Sequence, residues 1–146
     1  VGFYKGYGFT VKKLPFDDGY ADEIHAYHVL EHIQRWMVSE CLSEWLRVLK
    51  PGGKLILEMP CLDKILDIYF DFRRNESEPN PRLTILGLYG DPAYGVEAMM
   101  HKWCYSYREI SAILNELPLT RINIEKPLTH IAIRDMRVTA VKMNSA

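Results

Sequence analysis

The chain has 146 residues, 48% of them apolar and 25% charged, which is the balance of a folded globule and excludes a disordered chain. Lys and Arg number 18 against 19 Asp and Glu, and a net charge of −1 provides no field for a nucleic-acid backbone or an acidic membrane surface. No apolar run reaches the roughly 18 residues of a membrane span, and no signal peptide opens the chain.

Residues 1–13 hold Gly2, Gly6 and Gly8 among aromatics and lysines and read as a loose N-terminal arm. Leu14, Pro15 and Phe16 lead into Asp17-Asp18-Gly19, a turn by its chemistry. Residues 22–28 read as a short strand. From Trp36 to Leu49 the apolar positions Val38, Cys41, Leu42, Trp45 and Leu49 recur at helical spacing, which predicts an amphipathic helix. Lys50-Pro51-Gly52-Gly53 ends it, because proline cannot continue a helix and glycine frees the turn. Leu55-Ile56-Leu57 is a continuous apolar run, expected as a strand covered on both faces.

Residues 62–73 read as a second helix with Leu62, Ile65, Leu66, Tyr69 and Phe72 on one face. Residues 74–98 carry Pro79, Pro81, Gly87, Gly90, Pro92 and Gly95, so the stretch 74–104 is an irregular excursion or lid. Residues 106–109, Ser-Tyr-Arg-Glu, form a capping box, with Tyr105 and Ile110 as its hydrophobic staple. The helix so started passes Ile113 and Leu114 and is broken by Pro118. Ile122 and Ile124, then Met136, Val138 and Ala140, alternate with polar neighbours and predict two closing strands. No helix links these two, so they are expected to be antiparallel. Residues 1–146 therefore read as one α/β domain with a mixed sheet and helices on its faces.

Three cysteines, Cys41, Cys61 and Cys104, are odd in number and form no CxxC pair. They argue against a disulfide framework or a zinc ribbon and for a reducing, cytoplasmic compartment. Cys41 and Cys61 read as small buried hydrophobes.

Residues 28–32, His-Val-Leu-Glu-His, match the H-x-x-E-H pattern in which two histidines bind zinc and a glutamate acts as base. The match sits at the end of a predicted strand instead of inside a long helix. Only Glu97 or Glu109 could be offered as a third ligand, with no supporting pattern. A zinc hydrolase through His28, Glu31 and His32 is therefore the last-ranked alternative, and no metal site is expected.

A longer pattern spans the same residues. LPFDDGYADEIHAYHVLEHI followed by ECLSEWLRVLKPGGKLILEMP resembles the middle of class I S-adenosylmethionine-dependent methyltransferases. HKWCYSYREISAILNEL and RDMRVTAVKM resemble that family's later segments, and the likeness covers roughly residues 10–143. It implies a Rossmann-like sheet, S-adenosylmethionine as cofactor, and methyl transfer to a small-molecule or glycan-like acceptor. Leu14, Pro15 and Phe16 would wall the adenine, and His28 and His32 would lie beside the cofactor's amino-acid end. Ligands in open α/β sheets bind outside the carboxyl ends of the strands, where both segments are expected. His101, Trp103 and Tyr105 would line the acceptor pocket, with His101 the one candidate base.

The family's first strand, glycine-rich turn and ribose-binding acid have no counterpart here. Gly6-Tyr7-Gly8 stands too close to Leu14 for a helix and a strand to intervene, and Thr10 stands where the family carries an acid near the adenine. The chain thus reads as a methyltransferase sheet lacking its first two or so βα units, and Val1 in place of Met fits a fragment. Without those units the strand near 22–28 has an open edge, which the arm would cover or a second chain would pair with to make a homodimer. A non-catalytic, dimerising or partner-binding half-domain is the alternative function.

Overall fold

A computed structural model describes residues 13–144. It contains four strands and four α-helices, in the order β1 (Ala21–Tyr27), α1 (Val38–Val48), β2 (Leu49–Pro60), α2 (Leu62–Arg74), α3 (Ile85–Tyr89), α4 (Tyr107–Asn115), β3 (Leu119–Glu125) and β4 (Asp135–Lys142). The sheet order is β1-β2-β4-β3. β1 and β2 run parallel, while β4 lies antiparallel to both β2 and β3. The fold is a mixed, Rossmann-like α/β sheet, and the last strand is inserted between its two predecessors. Among the described residues no strand pairs with the outer edge of β1. The arm expected over 1–13 lies outside the described residues except for Lys13, as do Gly6, Gly8 and Thr10.

α1 forms where the spacing places it, but it is shorter than expected at both ends. Residues Arg35–Met37 make a 3-10 turn before it, leaving Trp36 exposed, and Leu49 already belongs to β2. The Lys50-Pro51-Gly52-Gly53 breaker sits inside β2 as a bulge. Ala21 pairs with Leu49 and Glu23 with Lys54, so the intervening residues loop out. Gly53 is required by that approach, since a Cβ there would stand 2.8 Å from the Asp22 carbonyl oxygen.

The apolar core lies on one face of the sheet. Leu55, Leu57 and Met59 of β2 and Met136, Val138 and Ala140 of β4 pack against Cys41, Leu42 and Leu46 of α1 and Ile110, Ile113 and Leu114 of α4. On the opposite face Ile56 stands between His25 and Thr139 across the strands. Beside it Glu58 receives the Arg137 guanidinium at 2.6 Å and the backbone N–H groups of Leu128 and Thr129 at 2.9 and 3.0 Å. That carboxylate fixes the β3–β4 loop over the sheet.

α4 opens as its sequence dictates. The Ser106 hydroxyl accepts the Glu109 N–H at 3.1 Å, and both Tyr105 and Ile110 are fully buried. α2 departs from its sequence pattern: only Ile65 is fully buried, and Leu66, Tyr69 and Phe70 face outward. It begins the excursion and leans on α3 there, so its apolar stripe has little to cover it. The excursion is itself built of short turns at Pro81–Leu83, Pro92–Tyr94 and Glu97–Met99 around α3.

Candidate functional site

Three chain reversals meet at one edge of the sheet. β1 ends at Tyr27, β2 ends at Pro60, and β4 starts at Asp135 opposite Pro60. The carboxyl ends of the two parallel strands therefore share an edge with the first residues of β4, where open α/β sheets receive ligands.

His28 leaves β1 with φ of 52°, a left-handed backbone uncommon for a residue with a side chain. Its N–H is held by the Glu58 carbonyl at 2.8 Å. The turn puts the imidazole between two buried carboxylates. Nδ1 donates to Glu31 Oε1 at 2.8 Å, and Nε2 stands 3.2 Å from Asp135 Oδ2 as an ion pair without hydrogen-bond alignment. Burial by itself would push the His28 pKa down, but Asp135 and Glu31 outweigh it and raise the value to about 9. His28 is thus an imidazolium at neutral pH. The ring of His130, from the β3–β4 loop, lies against it at 4.1 Å, and burial with the His28 charge lowers the pKa of His130.

Asp135 is sealed from solvent. Its Oδ1 takes the Arg134 Nε–H at 2.6 Å and its Oδ2 the Ile131 N–H at 3.2 Å. Burial opposes its ionisation, yet His28 and Arg134 hold its pKa below the usual value.

Glu31 belongs to the 3-10 turn Leu30–His32 and is 1% exposed. Its carbonyl oxygen accepts the N–H groups of Lys102 and Trp103 at 2.7 and 3.2 Å, which fastens the end of the excursion over the end of β1. Its Oε2 is buried with no hydrogen-bond partner. His32 Nδ1 lies 3.3 Å from the Met100 carbonyl, and the His32 ring meets His101 edge-on at 4.9 Å. His101 Nδ1 donates to the Gly87 carbonyl at 2.9 Å, and burial lowers its pKa, so the neutral ring keeps Nε2 unprotonated. Cys104 and Cys41 are raised to about 12, chiefly by burial, which makes both thiols inert at neutral pH.

Of the residues singled out in the sequence, His28, His32 and His101 come together here. Leu14, Pro15 and Phe16 do not join them. They precede β1, where the Leu14 N–H bonds Glu44 at 2.6 Å and its carbonyl meets Arg47, both on α1, while Phe16 stacks on Tyr20. The length of β1, roughly 20 Å, separates them from His28. Trp103 is half out in solvent with its indole N–H on Glu109, which also binds Arg35. Tyr105 is no pocket wall: it is the staple of α4, 0% exposed in the core, and pairs with Cys61 across an isolated bridge. The H-x-x-E-H reading also changes. His28 precedes a 3-10 turn and His32 ends it, so the two do not share one face of an α-helix, and His28 binds the glutamate itself. Asp135, His130 and Arg134 escaped notice because they arrive from a loop about a hundred residues downstream.

The comparisons bear on the fold. Residues 6–57 match the family model described as a methyltransferase domain. No curated protein matches the sequence. Among solved structures, a SAM-dependent methyltransferase from Archaeoglobus fulgidus has a TM-score of 0.55 at 18% identity, over 87% of this chain and 62% of its own. A SAM-dependent methyltransferase from Methanosarcina mazei has a TM-score of 0.57 at 20% identity, over 93% and 66%. The Burkholderia thailandensis 1,6-didemethyltoxoflavin-N1-methyltransferase, solved with that compound and S-adenosylhomocysteine, reaches 0.57 at 13% identity, over 92% and 48%. The chain thus spans 62% and 66% of the length of the two archaeal proteins. In fold, and in the sequence of residues 6–57, this chain is a methyltransferase-like protein resembling the class I S-adenosylmethionine-dependent enzymes.

Proposed function

We propose that this chain supplies the acceptor side of an S-adenosylmethionine-dependent methyl transfer to a small molecule, a glycan-like acceptor included. The observation that carries this reading is the convergence of His28, Glu31, His32 and His101 at the carboxyl ends of β1 and β2. The turn at residues 28–32 would border the cofactor's amino-acid end, and the excursion, fastened through the Glu31 carbonyl, would close over the acceptor. Methyl transfer from a sulfonium needs alignment in a dry site more than it needs a proton acceptor, so no base is assigned. The imidazolium of His28, held by two carboxylates, is a poor base and a good anchor. Three free cysteines fit a reducing, cytoplasmic setting, and no helix among the described residues is long and apolar enough to cross a membrane.

Calorimetric titration of S-adenosylhomocysteine into the full chain tests the proposal. Binding at micromolar strength, about −8 kcal/mol, is expected, and it should weaken in His32→Ala. No heat up to millimolar ligand would overturn it. A second reading rests on the outer edge of β1, which no strand covers among the described residues. An open edge favours pairing with a second copy. Light scattering showing a dimer, in a chain that ignores the cofactor, would favour that reading.

A further inference from the structure

Three residues at this edge have a relation that methyl transfer does not require. One ligand-type atom from each of Glu31, His32 and His101 lies within 4.8 Å of the others. Glu31 is 1% exposed, and its Oε2 is buried without a partner. A buried carboxylate oxygen left unsatisfied is costly unless a donor or a cation meets it. Each of the three side chains is also oriented from behind. His28 Nδ1 holds Glu31 Oε1 at 2.8 Å, the Gly87 carbonyl takes His101 Nδ1 at 2.9 Å, and the Met100 carbonyl faces His32 Nδ1 at 3.3 Å. Histidines that ligate metals are typically oriented this way, with the second ring nitrogen on a carbonyl or carboxylate.

We propose that Glu31, His32 and His101 form a binding site for one divalent transition-metal cation of the zinc class. The donor set of two imidazoles and one carboxylate suits such ions, whereas magnesium and calcium favour all-oxygen shells. Three protein ligands leave at least one coordination position for water or an acceptor oxygen. His28 is a positioning residue, not a ligand: it fixes one carboxylate oxygen and leaves the other to the ion. Glu31 and His32 come from the turn after β1, and His101 comes from the end of the excursion. The ion would therefore fasten the excursion to the sheet. The site stands independently of cofactor binding, so failure of one does not imply failure of the other.

The test is a titration of the chelator-stripped full chain with Zn2+ by calorimetry and with Co2+ by visible absorption. One ion per chain is expected, with the intense Co2+ d–d bands of a low-coordinate site. Glu31→Gln and His101→Gln should each weaken binding by at least about 100-fold, and Glu97→Gln, an exposed neighbour, should leave it unchanged. Zn2+ should also slow proteolysis within residues 76–101 of the parent but not of His101→Gln. Circular dichroism checks that each variant folds; should Glu31→Gln fail to fold, His101→Gln on the surface-proximal ring decides. A stripped chain that binds neither ion up to ~1 mM, or binding that survives both substitutions, would overturn the proposal.

Discussion

Glu58 and Glu31 are equally sealed, each 1% exposed, and their surroundings treat them in opposite ways. Around Glu58 both oxygens are engaged, by Arg137, by the Leu128 and Thr129 backbone and by the Thr129 hydroxyl. Around Glu31 one oxygen meets His28 and the other has no hydrogen-bond partner. A buried carboxylate with both oxygens engaged behaves as part of the scaffold, whereas one with an oxygen left over holds unsatisfied capacity for a ligand. The Glu58 carboxylate accordingly serves to hold the β3–β4 loop, and the turn after β1 keeps an oxygen for the cation proposed above.

Substitution at the scaffold side should have the largest effect. Glu58→Gln removes the buried counter-ion of the Arg137 guanidinium, itself 9% exposed, leaving only the half-exposed Glu125 at 3.7 Å, and is expected to remove about 3 kcal/mol of stability by urea unfolding. Gly90→Ala comes next. Gly90 has φ 82° and ψ 172°, a conformation reserved for glycine, and a Cβ there would stand 2.4 Å from the Met99 carbonyl oxygen. A loss of about 2 kcal/mol is expected, with His101 displaced and Zn2+ affinity reduced.

Glu31→Gln should cost less, about 1 kcal/mol, because only one of its oxygens is engaged. Equal losses at Glu31 and Glu58 would erase the distinction drawn between them. The smallest effect is on acid stability. Hydrogen bonds from Arg47 hold Glu44 at about 2, below the usual 4.5. A carboxylate depressed on folding stabilises above its unfolded value, and that contribution is lost as pH falls from about 4.5 to about 2. Glu44→Gln should flatten the acid limb of a thermal-melting profile within that window, lowering the melting temperature at pH 7 and converging with the parent near pH 2. A profile that keeps its slope would place the acid sensitivity at Glu58, whose donors also outweigh burial and lower its pKa.

Local chemistry in the sequence accounts for much of this fold. Residues 38–48 are helical because Val38, Cys41 and Leu42 share a face, and Ser106 caps α4 through the bond its pattern implies. Met136, Val138 and Ala140 alternate inward as expected, while Asp135 and Arg137 beside them are buried on the other face. The place of β4 between β2 and β3 was not legible, because period-two alternation specifies a strand and not its neighbours. The same limit explains Leu14 and Phe16, which lie near a strand in sequence yet at its opposite end from His28. His28 and His32 were singled out through the methyltransferase resemblance, and the structure brings both to the end of β1 beside His101 and Glu31. Glu31 looked like a catalytic base, but its burial depends on Lys102 and Trp103 closing over it from about seventy residues away. Asp135 carried no sequence signal beyond opening a strand.

The bridge between Cys61 and Tyr105 has one more consequence. The Leu62 N–H donates to the Tyr105 carbonyl at 2.8 Å, so the chain leaves the sheet and returns to it at a single point. The forty-odd residues between are a cassette whose two ends are already joined. Closing a shorter loop across the same bridge changes chain entropy only modestly. Different cassettes could therefore be grafted at that doorway, with the sheet and its core acting as a constant chassis.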